Sequence, residues 1–386
     1  MDAVRLAAVG VLLLVAAIGA MLAGVLPAEA AGATLARIWP VLLFVTAITL
    51  VAEIAALAGV FTAVASRLTR LSRGRVALLW AFIVVLAVLT TAFLSLDTTA
   101  VLLTPIVVAV ARASGIPPLP FALTTVWLAN TGSLFLPVSN LTNLLAEARL
   151  PGGPGAFFAL LWPSAVLAVA VPALVLWLLH RRALSGSFTP PPSPPPRDAV
   201  LFRVSAVVLV VLLPLLVSGT PPWMPALGAA LVLVVATALR APRTLRISML
   251  PLGLIVFAVG LFLTVTALRQ LGLDSVLAAV AAPGDALPAL WQVAAAGALG
   301  ANLVDNLPAY LALEPIADSP ARLAALLIGV NAGPLITPWA SLATLLWHDR
   351  LTAAGIRVSW GRYALWGLLA APLTVFVATL PLARFA

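Results

Sequence analysis

No cysteine occurs in the sequence, so the chain makes neither disulfides nor thiolate metal sites, and the redox compartment leaves no mark on it. Histidine is nearly absent. The only two, His180 and His348, stand at the ends of apolar runs, which argues against a histidine-rich metal centre, and no metal or other cofactor is expected. Lysine is missing altogether, and all 21 basic residues are arginine. Charged residues of either sign make up 9% of the chain, against roughly 25% in a soluble domain. There is no Walker A sequence and no H-E-x-x-H, so the chain carries no signature of nucleotide hydrolysis or zinc-dependent proteolysis and does not read as an enzyme. Any work it does must draw on an ion gradient or an external motor.

What is present is overwhelmingly apolar. Hydrophobic residues account for 63% of the 386, and mean hydropathy is +1.18, the composition of an all-α polytopic protein of the cell membrane. The net charge of +9 is carried by short arginine clusters between apolar runs, so it reads as a topology signal and not as a nucleic-acid surface. Four clusters, Arg67 to Arg75, Arg181 to Arg203, Arg240 to Arg246 and Arg350 to Arg362, are expected on the cytoplasmic side. The first apolar run, 4–26, is longer than a signal-peptide core and is followed at once by another, so it reads as a retained helix.

Keeping Arg75 and Arg112 on one side requires residues 76–114 to enter and leave the membrane on the same face, as a re-entrant hairpin with its tip near Ser95 to Thr99. The acidic Asp285, Glu314 and Asp318 on the opposite side make 287–318 a second hairpin, with its tip near Asn302 to Pro308. Nine crossings result, with the N-terminus cytoplasmic and the C-terminus external. Between the halves, Ser185 to Arg197 holds six prolines in seven positions from Pro190 to Pro196, a run that cannot be helical and favours extended polyproline geometry. The expected organisation is an N-terminal repeat over 1–184, a cytoplasmic linker over 185–199 and a C-terminal repeat over 200–386.

Two stretches break the apolar pattern in the same way. ANTGSLFLPVSNLTNLL, Ala129 to Leu145, and VNAGPLITPWASLATLL, Val330 to Leu346, overlay without gaps so that Asn130 meets Asn331, Gly132 meets Gly333 and Pro137 meets Pro338. Unpaired amides and hydroxyls are costly in lipid, so these groups need an internal use. The glycines and prolines interrupt the helices, 121–146 and 322–347, and free backbone groups toward a cavity. An inverted repeat with two hairpins and two broken helices puts a binding site near the midplane, where the breaks meet. The polar candidates are Asn130, Thr131, Gly132, Ser133, Ser139, Asn140, Thr142 and Asn143 in one half. Asn331, Gly333, Thr337, Ser341 and Thr344 supply the other. Thr142 and Thr344 read equally well as polar glue between helices.

The hairpin tips add carboxylates. Asp97 in LSLDTTAVLLTP is expected near mid-depth, where a charge costs roughly 2.5 to 3.5 kcal/mol, so it reads as a proton carrier or as a cap on the returning helix. Thr98 and Thr99 fit either role. Asn302, Asp305 and Asn306 precede Pro308 at the second tip, so each repeat carries one tip carboxylate. Glu53 lies about two turns from the cytoplasmic end of its span and reads as snorkelling outward or capping the surface segment from Phe61 to Leu71 in preference to ion coupling.

DTTAVLLTPI (Asp97 to Ile106), LPVSNLTNLL (Leu136 to Leu145), DNLPA (Asp305 to Ala309) and GPLITPWASLATLLW (Gly333 to Trp347) resemble the arsenite and antimonite efflux permeases of the ion transporter superfamily. That superfamily also holds dicarboxylate symporters and sodium/proton antiporters. The resemblance implies a two-hairpin fold, a homodimer, and export of arsenite or antimonite in exchange for protons, in some members with a cytosolic arsenite-stimulated ATPase. Asp97 and Asp305 then carry the coupling protons. The chain departs from the family pattern at Leu96, Asp305 and Ala340, where Asn, Asn and Gly are usual. A sodium- or proton-coupled carrier of another small anion is the second transport reading; paired Ser-Asn-Thr triplets at both tips would favour it, and neither tip has one.

The arginine distribution makes a topology prediction. Green fluorescent protein inserted in the loop near Pro190 should fluoresce in cells, whereas the same reporter fused after Ala386 should stay dark. The opposite pattern would reverse the assignment of sides.

Overall fold

A computed structural model describes residues 3–385 of the chain, apart from 193, 194, 196 and 275–282. The described residues are almost entirely helical. Helices α1 (Ala3–Leu22) and α2 (Ala28–Leu57) lead into a short amphipathic helix, α3 (Val60–Leu71). The first hairpin is α4 (Val76–Leu94) and α5 (Leu96–Ala113), and the first broken helix is α6 (Leu119–Thr131) and α7 (Leu141–Glu147). Helix α8 (Gly153–His180) closes this half. Two further helices, α9 (Ala199–Leu215) and α10 (Trp223–Arg240), precede α11 (Leu252–Gln270). The second hairpin is α12 (Leu287–Val304) and α13 (Asn306–Leu313), the second broken helix is α14 (Pro320–Ala332) and α15 (Leu342–Ala353), and α16 (Trp360–Thr379) closes the chain. Eight of the described helices are long and apolar enough to cross a membrane.

The inverted repeat is visible in backbone angles. Both hairpins turn at a non-glycine residue with positive φ: Ser95 at φ 108°, ψ 158° and Asp305 at φ 132°, ψ 157°. Such residues are rare and mark a constrained turn. Both broken helices resume from an extended residue, Asn140 at φ −153°, ψ 148° and Ser341 at φ −153°, ψ 138°. The tip carboxylates are therefore not equivalent by position. Asp305 occupies the turn that Ser95 occupies in the first hairpin, and Asp97 stands two residues further in.

Burial explains why these stretches tolerate so many polar groups. Residues Pro120 to Thr131 of α6 and Ala321 to Ala332 of α14 are buried on every side, so both broken helices run through the middle of the bundle, away from lipid. Each hairpin docks on the broken helix of its own half. Trp80 Nε1 of α4 donates to Thr124 Oγ1 of α6 at 2.8 Å, and Thr104 of α5 pairs with Thr125 at 2.9 Å. Within α5, the turn Thr99–Leu103 widens to π geometry just before Pro105, which has no N–H to donate back along the helix. In the other half, Asn302 Nδ2 of α12 donates to Gly333 O at 2.8 Å. Helices α1 and α11 cross through Gly10 and Gly260, where a side chain on either would collide with the other backbone.

The two hairpins open toward opposite ends. At one end Phe188 N donates to Gly74 O at 2.8 Å, and Arg112 donates to Ala354 O at 2.7 Å, drawing the start of the proline-rich loop and the arginine-rich turns together. Helix α2 begins at the other end, about 30 Å away from Arg37 to Leu57 by helical rise. There Glu314, 3% exposed, pairs with Arg37 at 2.5 Å and Arg269 at 3.3 Å, lies 3.9 Å from Arg149, and accepts from Tyr310 Oη at 3.3 Å. These partners come from α2, α11 and the segment after α7, so one carboxylate ties three parts of the chain to the open end of the second hairpin.

Glu314→Gln should leave partly exposed guanidiniums without a countercharge and cost roughly 2 kcal/mol, below the 3 to 5 of a fully buried pair. The measurement is the melting temperature of the purified protein in detergent, and an unchanged value would show the cluster to be energetically idle.

Candidate transport site

Where the two breaks meet, one side chain links both. Asn331, at the end of α14 and 1% exposed, accepts at Oδ1 from Asn140 Nδ2 (2.6 Å) and Thr142 Oγ1 (3.2 Å), and donates from Nδ2 to Asn143 Oδ1 (2.8 Å). Asn143 Nδ2 in turn donates to Ser133 O at 2.7 Å, Leu136 O at 3.3 Å and Ser139 Oγ at 3.1 Å. Ser139 donates to Leu136 O at 2.6 Å and also to Ser133 O. The irregular backbone of the first break is thus held from inside by side chains. Reciprocally, Trp347 Nε1 of α15 donates to Ala122 O of α6 at 2.7 Å. The first half of each broken helix lies against the second half of the other.

The second break is held differently. Asn302 Oδ1 accepts from Thr337 N at 3.0 Å and Ile336 N at 3.3 Å, while Thr337 Oγ1 and Trp339 Nε1 donate to Asn302 O at 2.8 and 2.9 Å. Asn302 therefore stands as the clamp of the second break. Gly333 lies so close to α12 that an added Cβ would fall 2.5 Å from Ala298 Cβ.

Two adjoining cavities of about 230 and 180 Å³ lie between these breaks and the hairpin tips. Leu96, Asp97, Asn140, Leu141, Leu254 and Leu342 line both. The larger also reaches Ser95, Thr98, Thr49 and Glu53; the smaller reaches Asp305, Asn306, Trp339 and Ser341. Of the residues expected at the site, Asp97, Thr98, Asn140, Asp305, Asn306 and Ser341 thus face the cavities. Asn331, Asn143 and Ser139 form the layer behind Asn140. Thr99 is turned into the first hairpin, bonded to Thr91 at 2.9 Å, and Asn302, Gly333 and Thr337 belong to the clamp of the second break. Asn130, Thr131 and Gly132 are fully buried at the end of α6, where Asn130 Nδ2 returns to Val126 O at 3.0 Å. They line neither cavity.

The two tip carboxylates differ in kind. Asp305 Oδ1 accepts from Leu307 N at 3.1 Å and caps α13. In the first hairpin the cap is Ser95, whose Oγ accepts from Thr98 N at 3.3 Å, and Asp97 Oδ1 is buried with no hydrogen-bond partner among the described residues. Asp97 is therefore not the cap that one sequence reading allowed. Glu53 does not cap either: the N-cap of α3 is Gly59, with no side-chain bond, and Glu53 lines the larger cavity. Serine 95, Ser248 and the turn Leu250 to Leu254 were invisible as lining because only the chain's path brings them there.

Four helices, α5, α7, α13 and α15, begin at this cavity system, and their first N–H groups and dipoles favour oxygen-rich groups placed there. Among the described residues, no arginine, lysine or histidine lines either cavity. The cavities can supply hydroxyls, amides, helix N-termini and three carboxylates.

The class these features define is a multi-pass membrane transporter built as an inverted repeat. Comparison with known proteins is consistent with it. The CitMHS family, described as citrate transporter, matches residues 1–346. The arsenical pump membrane protein of Yersinia enterocolitica is 30% identical over 351 residues, covering 84% of this chain and 81% of the relative. That of Escherichia coli is 29% identical over the same length and shares. The crystal structure of the Alcanivorax borkumensis YdaH transporter, described as having an unusual topology, superposes with a TM-score of 0.64 at 17% identity, covering 92% of this chain and 86% of that one. The chain belongs to the citrate transporter (CitMHS) family and, within the reach of that match, is a relative of the arsenical pump membrane proteins.

Gly333→Ala should act as overpacking, costing about 1 to 3 kcal/mol of stability, and not as loss of a ligand contact. The melting temperature should fall while the substrate affinity of the folded fraction stays near that of the unaltered protein.

Proposed function

We propose that the chain exports arsenite or antimonite, as the neutral oxyacid, from the cytoplasm in exchange for protons. The observation that carries this is the lining: among the described residues, both cavities hold carboxylates and neutral polar groups but no cationic side chain. Citrate, or another di- or tricarboxylate, would meet Glu53, Asp97 and Asp305 with only helix N-termini and no cationic side chain among the described residues to offset them, a repulsion that a site of low dielectric magnifies. Trihydroxy-arsenic(III) is an uncharged polyol at neutral pH. Its hydroxyls donate to carboxylates and to Asn140 Oδ1, and accept from helix N–H groups, Thr98 and Ser341. With no cysteine in the chain, the pocket takes the metalloid by hydrogen bonds and releases it again. The names of the arsenical pump relatives agree with this substrate.

Coupling follows from the same groups. An ionised Asp97 accepts hydrogen bonds from the substrate; a protonated Asp97 has lost that charge and part of its acceptor capacity. Substrate and proton thus compete for the tip carboxylates, which is the requirement for exchange. Asp97, with one buried oxygen left free, is the stronger candidate for the shared group, and Asp305 serves while also capping α13. The arginine-rich end is assigned to the cytoplasm, so the larger cavity, walled by the turn just after Arg246, opens inward.

Everted membrane vesicles energised to be acid inside should accumulate arsenite, and collapse of the proton gradient should abolish the uptake. Asp97→Asn and Asp305→Asn should each reduce gradient-driven uptake by about a hundredfold or more, the lower end of what a positioned proton-transfer group contributes. Unchanged uptake and pH dependence in both variants would remove their role, and sodium-stimulated succinate uptake in place of arsenite would replace the substrate.

A further inference from the structure

Helix α2 presents one continuous stripe to the larger cavity: Phe44, Val45, Ile48, Thr49, Ala52 and Glu53. The spacing is that of a single helical face over two and a half turns. Five of the six are the residues expected of an apolar wall with one hydroxyl. The sixth is a carboxylate, at the end of the stripe nearest the C-terminus of α2 and therefore nearest the arginine-rich turns after α3. Glu53 makes no hydrogen bond or ion pair among the described residues, although it is the one charged residue of α2 from Ile38 to Leu57, where an ionisable group is costly to keep. Asp97, with its own unpartnered oxygen, lines the same cavity, together with Ser95 and Thr98 beside it in the chain.

We propose that Glu53 is the proton station between the tip carboxylates and the cytoplasm. This rests on the exporter reading above. In the state with the larger cavity open, protonated Asp97 gives its proton, through water in the cavity, to the Glu53 carboxylate: the O–H bond at Asp97 breaks, one forms at Glu53, and the negative charge moves from α2 to the hairpin tip. Glu53 then releases the proton to the cytoplasmic solvent and Asp97, now ionised, accepts the substrate. The charged groups facing Glu53 are few. Asp97 faces it from the hairpin, and Arg350 acts on it from α15. The wall from the first break (Val138, Asn140, Leu141, Leu144) and the turn before α11 (Ser248, Leu250 to Leu254) add no charge.

Glu53→Gln should slow net arsenite accumulation in acid-inside everted vesicles by about tenfold or more and flatten its dependence on external pH, while Glu53→Asp restores most of both. A Gln variant with the unaltered rate and pH profile would overturn the assignment, as would an Asp variant no better than Gln, which marks a packing role. A second measurement needs no substrate. Infrared difference spectra of the purified protein across the neutral pH range should contain a protonated-carboxyl band that Glu53→Gln removes, and persistence of every such band would also overturn it. Failure of the unaltered protein to accumulate arsenite would count against the exporter reading alone, and the infrared result would still decide the titration of Glu53.

Discussion

The arrangement at the centre of this protein depends on the pairing of one buried amide. Asn331 is withdrawn from both water and lipid, and each of its polar atoms finds a partner on the opposite repeat, in Asn140, Thr142 and Asn143. An unpaired amide there would cost the full desolvation penalty, whereas a satisfied network in a low-dielectric interior rigidifies what it joins. Because the pairing crosses between repeats, it fixes where the two breaks sit against each other. The helix N-termini that start at the cavity are held in position by this lock.

Two symmetry-related halves have diverged in how they stabilise the same backbone. The first break is filled by its own side chains, Ser139 and Asn143, bonding to its free carbonyls. The second borrows Asn302 from the neighbouring hairpin and relies on Gly333 for close approach. The tips diverge likewise. A serine caps one returning helix and leaves Asp97 free, while an aspartate caps the other and is partly committed. A carboxylate with no structural employment in a membrane interior is the more telling of the two, since its cost is not offset by a bond it makes to its own fold.

Charge is distributed in three zones that suit a neutral cargo. Arginine gathers at one end of the bundle, the cavities are lined by acidic and neutral groups among the described residues, and the opposite end is closed by Glu314 among Arg37, Arg149 and Arg269. A buried ion pair of this kind adds little net stability compared with apolar packing, but it specifies which surfaces meet. Here it joins the second hairpin to α2 and α11, on the side away from the larger cavity.

Much was legible from the sequence alone. Hydropathy and arginine placement determine the spans, because lipid admits only helices with internally satisfied backbones and insertion follows basic loops. The hairpins follow from keeping Arg75 with Arg112 and Asp285 with Glu314 and Asp318 on one side each, and the breaks from glycine, proline and polar residues recurring in register. What the sequence could not decide is which way each polar side chain turns. Asn130, Asn140, Asn143, Asn302 and Asn331 look alike in composition, yet among them only Asn140 lines the cavities while Asn302 clamps a break and Asn331 joins the repeats. Glu53 lies more than forty residues from Asp97, and Ser248 to Leu254 more than a hundred and fifty, so their approach depends on contacts between distant segments. Helical periodicity assigns a face to each residue, but only the packing of one helix against another determines whether that face meets lipid, protein or a cavity.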